Sequence, residues 1–516
     1  MKSDEKKTNH IPPQATWREW LGLTILTLLM LVLSTDLTAL YLAMPSITAD
    51  LQTGSTQMLW ILHIYGFLTS GLLITMGRLG DRIGRRRMLL IGAVGFAVFS
   101  VLAAFSVNAE LLIISRALLG VAGAMLMPSI FSLLRNMFHH EGQRRFAIAV
   151  VFSAFSAGGA VGPLLGGILL ETFWWGAIFL INVPVLILFL VTGRSLLPEF
   201  REKNEHQLDW KSVALSLGGV LTFIYGIQGI ALEEQDSTII YVMAIVIGII
   251  LAVMFVRRQS RLAHPLLDLK LFTNRLFSTS LGAIFFTLIG LSGVFYLFTQ
   301  YLQWVQELPP LQAGIWTLPY VIANIAGALI APILVRWIRQ RVVIWVSLLL
   351  VGVSLILIAV GASSMNFPLV VMSISLAGLT QGSAFALASD FIISSVPVER
   401  AGSASAMQEV SGELGNAMGV ALLGTIGLFV YRSVLAGNLS KEVPTQVTDT
   451  TMQSVAGAIA ASKELSSPMG MKMLDTVRDA FTQGFQVSSG IGGVLISTMA
   501  IFVMVLYKRS HKGSNL

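Results

Sequence analysis

The chain has 516 residues, of which 55% are hydrophobic and only 12% are charged, and its mean hydropathy is +0.77. Soluble proteins carry about 25% charged residues, so this composition excludes an ordinary soluble domain and indicates a polytopic membrane protein. The sequence contains no cysteine, which excludes disulfides, thiolate metal sites and cysteine nucleophiles.

Fourteen apolar segments recur along the chain, each about 20 residues long, which is the length that crosses a bilayer. They predict an all-α, polytopic membrane protein with 14 transmembrane helices, two six-helix bundles and a two-helix central insertion. The segments lie near residues 21–45, 57–77, 88–106, 111–134, 146–170, 175–193, 211–231, 238–256, 276–301, 313–335, 342–361, 367–393, 402–430 and 481–507. The first apolar segment is long enough to span, so we expect it to act as the insertion signal without cleavage.

The basic residues predict the orientation. With a cytoplasmic N-terminus, 28 of the 34 lysines and arginines fall in segments on the cytoplasmic side. The positive-inside rule therefore predicts a multi-pass protein of the cell (inner or plasma) membrane with both termini cytoplasmic. The net charge of +7 then reflects topology, and we expect membrane lipid rather than nucleic acid as the polyanionic partner.

The spacing of the spans predicts the domain layout. The segment 332–341 weakly echoes the segment 77–87, and both follow the second span of a six-span block if spans 7 and 8 are an insertion. Two parallel repeats of this kind are typical of transporters with a central binding site. The predicted units are a cytoplasmic segment at 1–20, bundles at 21–193 and 276–507, the insertion at 211–256 and a tail at 508–516. The stretch 431–480 is predicted to be either a structured outer hairpin or a disordered connector.

The loop at 77–87 has the ordered pattern GxLxDRxGRR, formed by Gly77, Asp81, Arg82, Gly84 and Arg85. The glycines allow a tight turn, and the aspartate can cap a helix or pair with the arginine four residues later. We expect the arginines to hold this loop at the anionic lipid surface.

A second motif is the glycine-proline run at 158–167, within the fifth apolar segment. Its key residues are Gly158, Gly162, Pro163, Gly166 and Gly167. In a soluble helix each glycine costs about 1 kcal/mol and proline about 3 kcal/mol. In a membrane, a glycine face instead allows two helices to pack almost backbone to backbone. The run therefore predicts a closely sealed or moving helix interface.

These motifs occur in the same order as in the major facilitator superfamily, and the sequence therefore resembles that superfamily. The resemblance is specifically to its fourteen-span drug:proton antiporters of the quaternary-ammonium and multidrug exporter type. The resemblance also includes Ser34–Thr38 in span 1, the RxxxGxxxA pattern of Arg116–Ala124 in span 4 and Phe179–Pro184 in span 6. It implies a secondary active transporter, not an enzyme, that uses the proton gradient. No GxxxxGK[ST] or HExxH motif is present, so we expect no ATP, no metal and no other cofactor.

Three embedded carboxylates are the predicted centres of coupling, because a charge at mid-bilayer costs roughly 2.5–3.5 kcal/mol and is therefore usually functional. Asp36 is expected to bind a proton or a cation, with a structural hydrogen-bonding role as the alternative. Glu409 and Glu413 are four residues apart and share one helix face. Two neighbouring carboxylates favour protonation of one of them, and a lipophilic cation can displace that proton. The resemblance supports this role, and the alternative for Glu409 is an ordinary interfacial residue at the cytoplasmic start of the span.

Further candidates are less specific. Arg116 is expected to pair with an acid or with backbone carbonyls, and His63 either relays protons or packs as an ordinary interface histidine. Asp390 is interpreted as a helix-end residue. An adaptable apolar cavity is predicted from side chains that attract cations or repack around varied shapes, namely Trp60, Tyr65, Met125 and Met127. The resemblance adds Asn324 as a lining residue, because some relatives carry another acid near this position.

The predicted function is proton-coupled export of small, hydrophobic, mainly cationic drugs or antiseptics by a monomer. Two alternatives remain. One is a dedicated exporter of a single metabolite such as an amino acid or a siderophore, and the other is a membrane sensor that does not transport. The embedded acids disfavour the sensor, because inserting a charged residue into the membrane is costly and a protein that does not transport has no need for such residues.

Overall fold

The computed structural model describes residues 14–53, 55–201, 209–231, 238–262, 265, 267, 269–397, 401–438, 451, 455–462 and 467–512. Within these ranges every regular element is helical, including a short 3₁₀ helix at Leu269–Thr273. The first nine α-helices are α1 (Trp17–Leu51), α2 (Ser55–Ile83), α3 (Arg85–Ala104), α4 (Ala109–Met137), α5 (Glu141–Thr172), α6 (Ala177–Leu180), α7 (Asn182–Leu196), α8 (Trp210–Ala231) and α9 (Thr238–Gln259).

The remaining helices are α10 (Arg275–Trp304), α11 (Pro310–Leu334), α12 (Gln340–Ser363), α13 (Phe367–Ser394), α14 (Ala401–Asn438), α15 (Val455–Ser462) and α16 (Ser467–Lys512). In the described part of the chain, thirteen helical segments are long and apolar enough to cross a membrane, with α6 and α7 together forming one of them. Helix α2 is 29 residues long but carries a shorter apolar stretch, Ile64–Leu73. The predicted all-α, polytopic membrane architecture is confirmed.

The helices pack in two groups with a pair beside them. In the first group α1 lies against α5 and α7, and α4 lies between α2 and α3. In the second group α10 packs against α14 and α16, while α13 packs against α11 and α12. The groups meet where α5 contacts α11 and α13, and where α14 contacts α2 and α4. Helices α8 and α9 pack on each other, and α8 also contacts α2 and α14.

Exposed aromatic side chains mark the two ends of the helices. We call the end at which α1 begins and α9 ends the basic end, because it carries the arginines of the α2–α3 turn and of the α9 C-terminus. Trp17, Trp210 and Trp337 are exposed there, and Phe173 and Trp174 are exposed at the opposite end. Tryptophan favours the membrane–water interface, so these positions delimit the membrane-embedded part of the helices.

The glycine-proline run lies in α5 and faces α1, within the first group. A Cβ atom at Gly158 would lie 2.6 Å from the carbonyl oxygen of Leu31, and one at Gly162 would collide with Thr38. Gly166 lies against Ala39 in the same contact. The two helices therefore approach with almost no side chain between them, and α1 and α5 are expected to move as one body. The side chain of Pro163 is outside the described residues.

The described parts of the 431–480 stretch are helical. Helix α16 has 46 residues, about 69 Å at 1.5 Å per residue, so it extends well beyond the membrane. The Tyr431 hydroxyl donates a hydrogen bond to the carbonyl of Thr451 at 3.0 Å, and Arg478 forms an ion pair with Glu307. Helix α15 packs on α16. These contacts attach a small helical layer to the end opposite the basic end.

Adjacent glycines in α5 provide a matched test of this packing. Gly158→Ala is expected to destabilise the protein by about 1–3 kcal/mol, because the new methyl group meets α1 backbone atoms that cannot move aside. Gly159→Ala should be nearly neutral, since its Cβ would meet only Ser34 Oγ at 3.6 Å. Thermal unfolding in detergent measures both, and equal melting temperatures would contradict the predicted tight contact.

Candidate functional site

A buried ion pair joins α1 to α4. Arg116 Nη1 donates to Asp36 Oδ2 at 2.7 Å, and both side chains are only 1% exposed. The second oxygen, Asp36 Oδ1, accepts a hydrogen bond from Asn182 Nδ2 at 3.0 Å. Both carboxylate oxygens are therefore occupied, and α7 contributes to the same site. The sequence predicts an acid or backbone carbonyls as partners of Arg116, and the structure shows one of each, Asp36 and the carbonyl of Ile61. The sequence assigns no role to Asn182.

The remainder of the Arg116 side chain is also enclosed. Its Nε donates to the carbonyl of Ile61 at 3.3 Å, and the guanidinium lies 4.8 Å from the ring centre of Tyr65 and 5.9 Å from that of Phe179. An arginine between two aromatic rings gains cation–π stabilisation, which is larger in a desolvated site. Gly120 permits this arrangement, because a Cβ there would lie 2.6 Å from the Tyr65 carbonyl oxygen.

Glu409 and Glu413 lie on α14, one helical turn apart. Both are partly exposed, and among the described residues neither forms an ion pair or a hydrogen bond. Glu413 is an electrostatic neighbour of both Glu409 and Tyr65. Helix α14 is flanked by α2 and α4 of the first group and by α10 and α13 of the second. The two carboxylates thus lie on the helix that borders both groups.

Tyr65 connects the buried ion pair to the α14 glutamates. Its ring centre lies 4.8 Å from the Arg116 guanidinium, and Tyr65 is an electrostatic neighbour of both Asp36 and Glu413. The α14 pair therefore lies near the Asp36–Arg116 ion pair, where α14 contacts α2 and α4.

A neutral polar network crosses between the two groups. Ser156 Oγ of α5 donates to Asn324 Oδ1 of α11 at 2.7 Å, and Asn324 Nδ2 donates to Gln381 Oε1 of α13. The Tyr320 hydroxyl donates to the same Gln381 oxygen at 3.0 Å. Asn324, predicted as a cavity-lining residue, is therefore a buried hydrogen-bonding residue at the α5–α11 contact, only 7% exposed.

The 77–87 motif forms the turn between α2 and α3. Gly84 has φ +109°, a left-handed conformation that favours glycine, and a Cβ there would collide with the carboxylate of Glu199. Asp81 forms an ion pair with Arg85, and Ser403 Oγ of α14 lies 3.4 Å from Asp81 Oδ2. The turn is thereby connected to the second group. Gly77 and Arg82 complete the motif, the glycine buried and the arginine half-buried.

The predicted pairing of Asp81 with Arg85 is confirmed, whereas the prediction that the arginines of this loop lie at the lipid surface is wrong for Arg85. Its side chain is 0% exposed, because Asp81 neutralises it inside the protein. The Arg86 guanidinium donates to the carbonyls of Arg194 and Leu197 at 3.1 Å, so it fixes the end of α7. The exposed arginine of the turn is Arg87, whose side chain is 65% exposed.

A second ionic contact at the basic end joins α5 to α13. Arg144 Nε and Arg145 Nε lie 2.9 Å and 3.1 Å from the two oxygens of Asp390, which is 0% exposed. Gln340 Nε2 donates to the same carboxylate at 3.2 Å. Asp390 is therefore more than the helix-end residue that the sequence indicated. Asp390 lies in an apolar span that has no basic residue close by in the sequence. Because a charge in such a span must be neutralised, this position indicates a partner that is distant along the chain.

The other predicted cavity residues are dispersed. The ring of Trp60 stacks on Tyr225 of α8, with centres 6.1 Å apart. Met125 lies against Gly92 of α3, and Met127 is buried in the apolar core. Tyr65 is placed at Arg116, as described above. His63 is part of α2, but its side chain lies outside the described residues.

The described residues contain no group of three or more histidines, aspartates or glutamates that could hold a metal ion. In the described interior of the helices, Asp36, Asp81 and Asp390 are paired with arginines, whereas the α14 glutamates have no basic partner. Such an arrangement can exchange protons and bind cations, because an unpaired carboxylate in an apolar setting attracts any available positive charge.

Residues 26–420 match the Major Facilitator Superfamily. The multidrug efflux pump LfrA of Mycolicibacterium smegmatis is 39% identical to this chain, covering 95% of it and 97% of LfrA. The methyl viologen resistance protein SmvA of Salmonella typhimurium is 30% identical over 94% of this chain and 97% of its own. The tetracenomycin C resistance and export protein of Streptomyces glaucescens is 28% identical to this chain, and the match covers 95% of this chain and 92% of that protein.

Two solved structures share the fold. The human organic anion transporter MFSD10 (TETRAN) superposes with a TM-score of 0.59 at 15% identity, covering 94% of this chain and 100% of that one. A double-tryptophan mutant of XylE gives a TM-score of 0.61 at 14% identity and covers 95% of each chain.

The buried ion pair predicts a characteristic pattern of stability. Asp36→Asn leaves the Arg116 charge enclosed without its acidic partner and should cost about 3–5 kcal/mol. Adding Arg116→Gln to that variant should recover part of the loss, because the orphaned charge is removed as well. The ion pair between Arg478 and the exposed Glu307 offers the control. Glu307→Gln should lower the free energy of unfolding by less than about 1 kcal/mol. Additive losses in a double-mutant cycle of thermal unfolding would show that the two groups are not coupled.

The Asp390 contact predicts a shift between conformations. Asp390→Asn removes the carboxylate that holds α5 to α13, so the basic end should open more often. Spin labels introduced at Arg194→Cys and Arg336→Cys report the distance across this end, and the chain has no cysteine to interfere. We expect the longer-distance population to rise about 5-fold or more. Glu141→Gln, which removes a carboxylate paired with Arg145 within α5, should leave the distances unchanged. An unchanged distribution in Asp390→Asn would refute the role of this contact.

Proposed function

This chain belongs to the Major Facilitator Superfamily, and we propose that it is a proton-coupled antiporter that exports hydrophobic, mainly cationic drugs or antiseptics across the cell membrane. It is a membrane transporter rather than an enzyme, and its relatives include multidrug and antibiotic efflux proteins. The proposal adds three features to that description: the driving ion, the charge of the substrate and the residues that couple them.

One observation carries the proposal. In the described interior of the helices, Asp36 and Asp390 are each held by arginine, whereas Glu409 and Glu413 have no basic partner. A carboxylate without a partner is costly in an apolar environment, and it reduces that cost by binding a proton or a cation. The two glutamates are therefore the groups whose charge is available for exchange.

Competition at this pair would couple the two fluxes. Protons arriving from outside would neutralise the glutamates and release a bound cation. With the carboxylates neutral, the interior carries less uncompensated charge, and the transporter would return to the form that is open to the cytoplasm. There a lipophilic cation would displace the protons, so that each export step consumes the proton gradient.

The charge of the substrate is supported by chemistry and by the relatives. Methyl viologen, for which SmvA is named, is an aromatic dication. Two adjacent carboxylates on α14 suit such a molecule, because each contributes one negative charge and aromatic side chains attract cations. Asp36 keeps a secondary role in this proposal. Its pairing with Arg116 and Asn182 makes it a fixed element that changes only if the ion pair opens.

The proposed orientation follows from the charges. The basic end holds the arginines of the α2–α3 turn and of α9, and the positive-inside rule assigns that end and both termini to the cytoplasm of a multi-pass cell-membrane protein. The contacts of Asp390 with Arg144 and Arg145 close this end. The arrangement described above would therefore correspond to the stage at which the cytoplasmic side is sealed.

Transport by inverted membrane vesicles tests the proposal. With an imposed proton gradient, we expect ethidium transport by the native protein and at least a tenfold lower initial rate in Glu409→Gln/Glu413→Gln, because neither glutamine can exchange a proton. Glu110→Gln, an acid at the opposite end that is hydrogen-bonded to Gln57, is the matched control and should retain the native rate.

The same assay separates the alternatives. Gradient-driven transport that persists in Glu409→Gln/Glu413→Gln would overturn the assignment of coupling to α14. Transport of a single amino acid or siderophore, without transport of ethidium, would identify a dedicated metabolite exporter. Absence of transport for every compound tried, with the protein folded in the membrane, would favour a sensor.

A further inference from the structure

The lipid-facing side of α9 carries an arginine-lined cavity at its basic end. The cavity has a volume of about 360 Å³ and lies between α8 and the end of α9. It is lined by Leu215, Met254, Arg257, Arg258, Arg261 and Leu262. Three guanidinium groups and three apolar side chains thus surround one open space, at the level at which helix ends meet lipid headgroups.

One of the three arginines is fixed in place. Arg258 Nε and Nη2 donate to the two oxygens of Asp209 at 2.6 Å and 2.9 Å. Ser212 also donates to Asp209, and Gln259 donates to Ser212 at 2.7 Å. The hydrogen bonds from Arg258 and Ser212 lower the pKa of Asp209 to about 2, so this clamp stays ionised at any physiological pH.

The other two arginines are available. Arg257 and Arg261 are exposed, and the part of the chain that the structure describes gives neither of them an ion-pair partner. They lie four residues apart along the chain, beside the fixed Arg258. Arginine binds phosphate oxygens through a planar fork of donors. The ionised Asp209 compensates the charge of Arg258, so Arg257 and Arg261 provide the two uncompensated positive charges of the site.

An exposed apolar strip leads away from this cavity. Met254, Ile250, Ile247 and Met243 are each 45–57% exposed and recur at the spacing of one helix face. The strip is about 16 Å long and runs from the arginines toward the middle of the membrane. Only 17% of the apolar window of α9 is buried in the protein, so this face lies against lipid chains.

We propose that this cavity is a binding site for an anionic phospholipid, with the phosphate held by Arg257 and Arg261 beside the fixed Arg258 and an acyl chain along the exposed strip of α9. The charge and the geometry match the two parts of that ligand, a phosphate group and a long apolar chain. A soluble anion would contact the arginines alone.

The site has a direct structural connection to the transporter core. Close packing makes α8 and α9 a rigid pair, since a Cβ at Gly248 would lie 2.7 Å from the backbone nitrogen of Phe223. Helix α8 in turn contacts α2 and α14, which come from different groups. A lipid bound at α9 therefore lies on an element that touches both sides of the interface.

Native mass spectrometry of the purified full chain tests this site. With phosphatidylglycerol added, we expect one tightly retained lipid, and with phosphatidylcholine at the same ratio at least tenfold less. Arg257→Gln/Arg261→Gln should reduce the retained phosphatidylglycerol roughly thirtyfold, because each arginine near the surface contributes a factor of about five. Arg194→Gln/Arg336→Gln is the control, because it removes the same charge from the same end of the protein. This variant should still retain one phosphatidylglycerol molecule.

The outcomes that overturn the proposal are specific. If both double variants lose phosphatidylglycerol equally, the lipid is attracted to the basic surface in general and does not bind at a specific site. Retention of the lipid in Arg257→Gln/Arg261→Gln would exclude the cavity. Displacement of the lipid by 10 mM inorganic phosphate, roughly a saturating concentration for a weak anion site, would identify a free-anion site. If the glutamine variant does not fold, Met254→Glu, which places a carboxylate beside the arginines, should cause the same selective loss.

Discussion

Charges enclosed between membrane helices must be neutralised, and this requirement organises the whole molecule. At the basic end it ties the two helix groups together, because Asp390 on one side takes its positive charge from α5 on the other. Within the first group it ties α1, α4 and α7 into one unit through the Asp36–Arg116–Asn182 cluster. The two carboxylates that lack such a partner lie on α14, between the groups. The interior is thus divided into charges that hold structure and charges that remain free to react.

Close helix packing complements these ionic contacts. The span-5 glycines bring α1 against α5, and the same device recurs in the second group, where a Cβ at Gly378 would lie 2.4 Å from the Tyr320 carbonyl oxygen and one at Gly382 would collide with Asn324. Such contacts make each group stiff. Motion between the groups must then occur where polar contacts cross, namely at the Ser156–Asn324 hydrogen bond and at the ion pairs of the basic end. The neutral hydrogen bond contributes only about 0.5–1.5 kcal/mol, whereas the charged contacts are stronger and dominate the energy of opening.

Most of the fold could be predicted from the sequence because apolar length and glycine spacing are local properties. The span positions, the Asp81–Arg85 pair and the close packing of the span-5 glycines all follow from residues near one another in the chain. The partners of Asp36 and Asp390 could not be predicted, because they come from helices 80 and more than 240 residues away along the chain. The contacts of Arg86 show the same limit, because the carbonyls of Arg194 and Leu197 that accept its hydrogen bonds lie more than 100 residues away along the chain.

The central claim is that the α14 glutamates carry exchangeable protons that a cationic substrate displaces. Proton release on substrate binding tests it most directly, by adding ethidium to the purified protein in weakly buffered detergent solution at neutral pH. The account predicts release of about one proton per bound ethidium by the native protein, and none by Glu409→Gln/Glu413→Gln. Undiminished proton release in that variant, or ethidium binding by the native protein without any proton release, would contradict it.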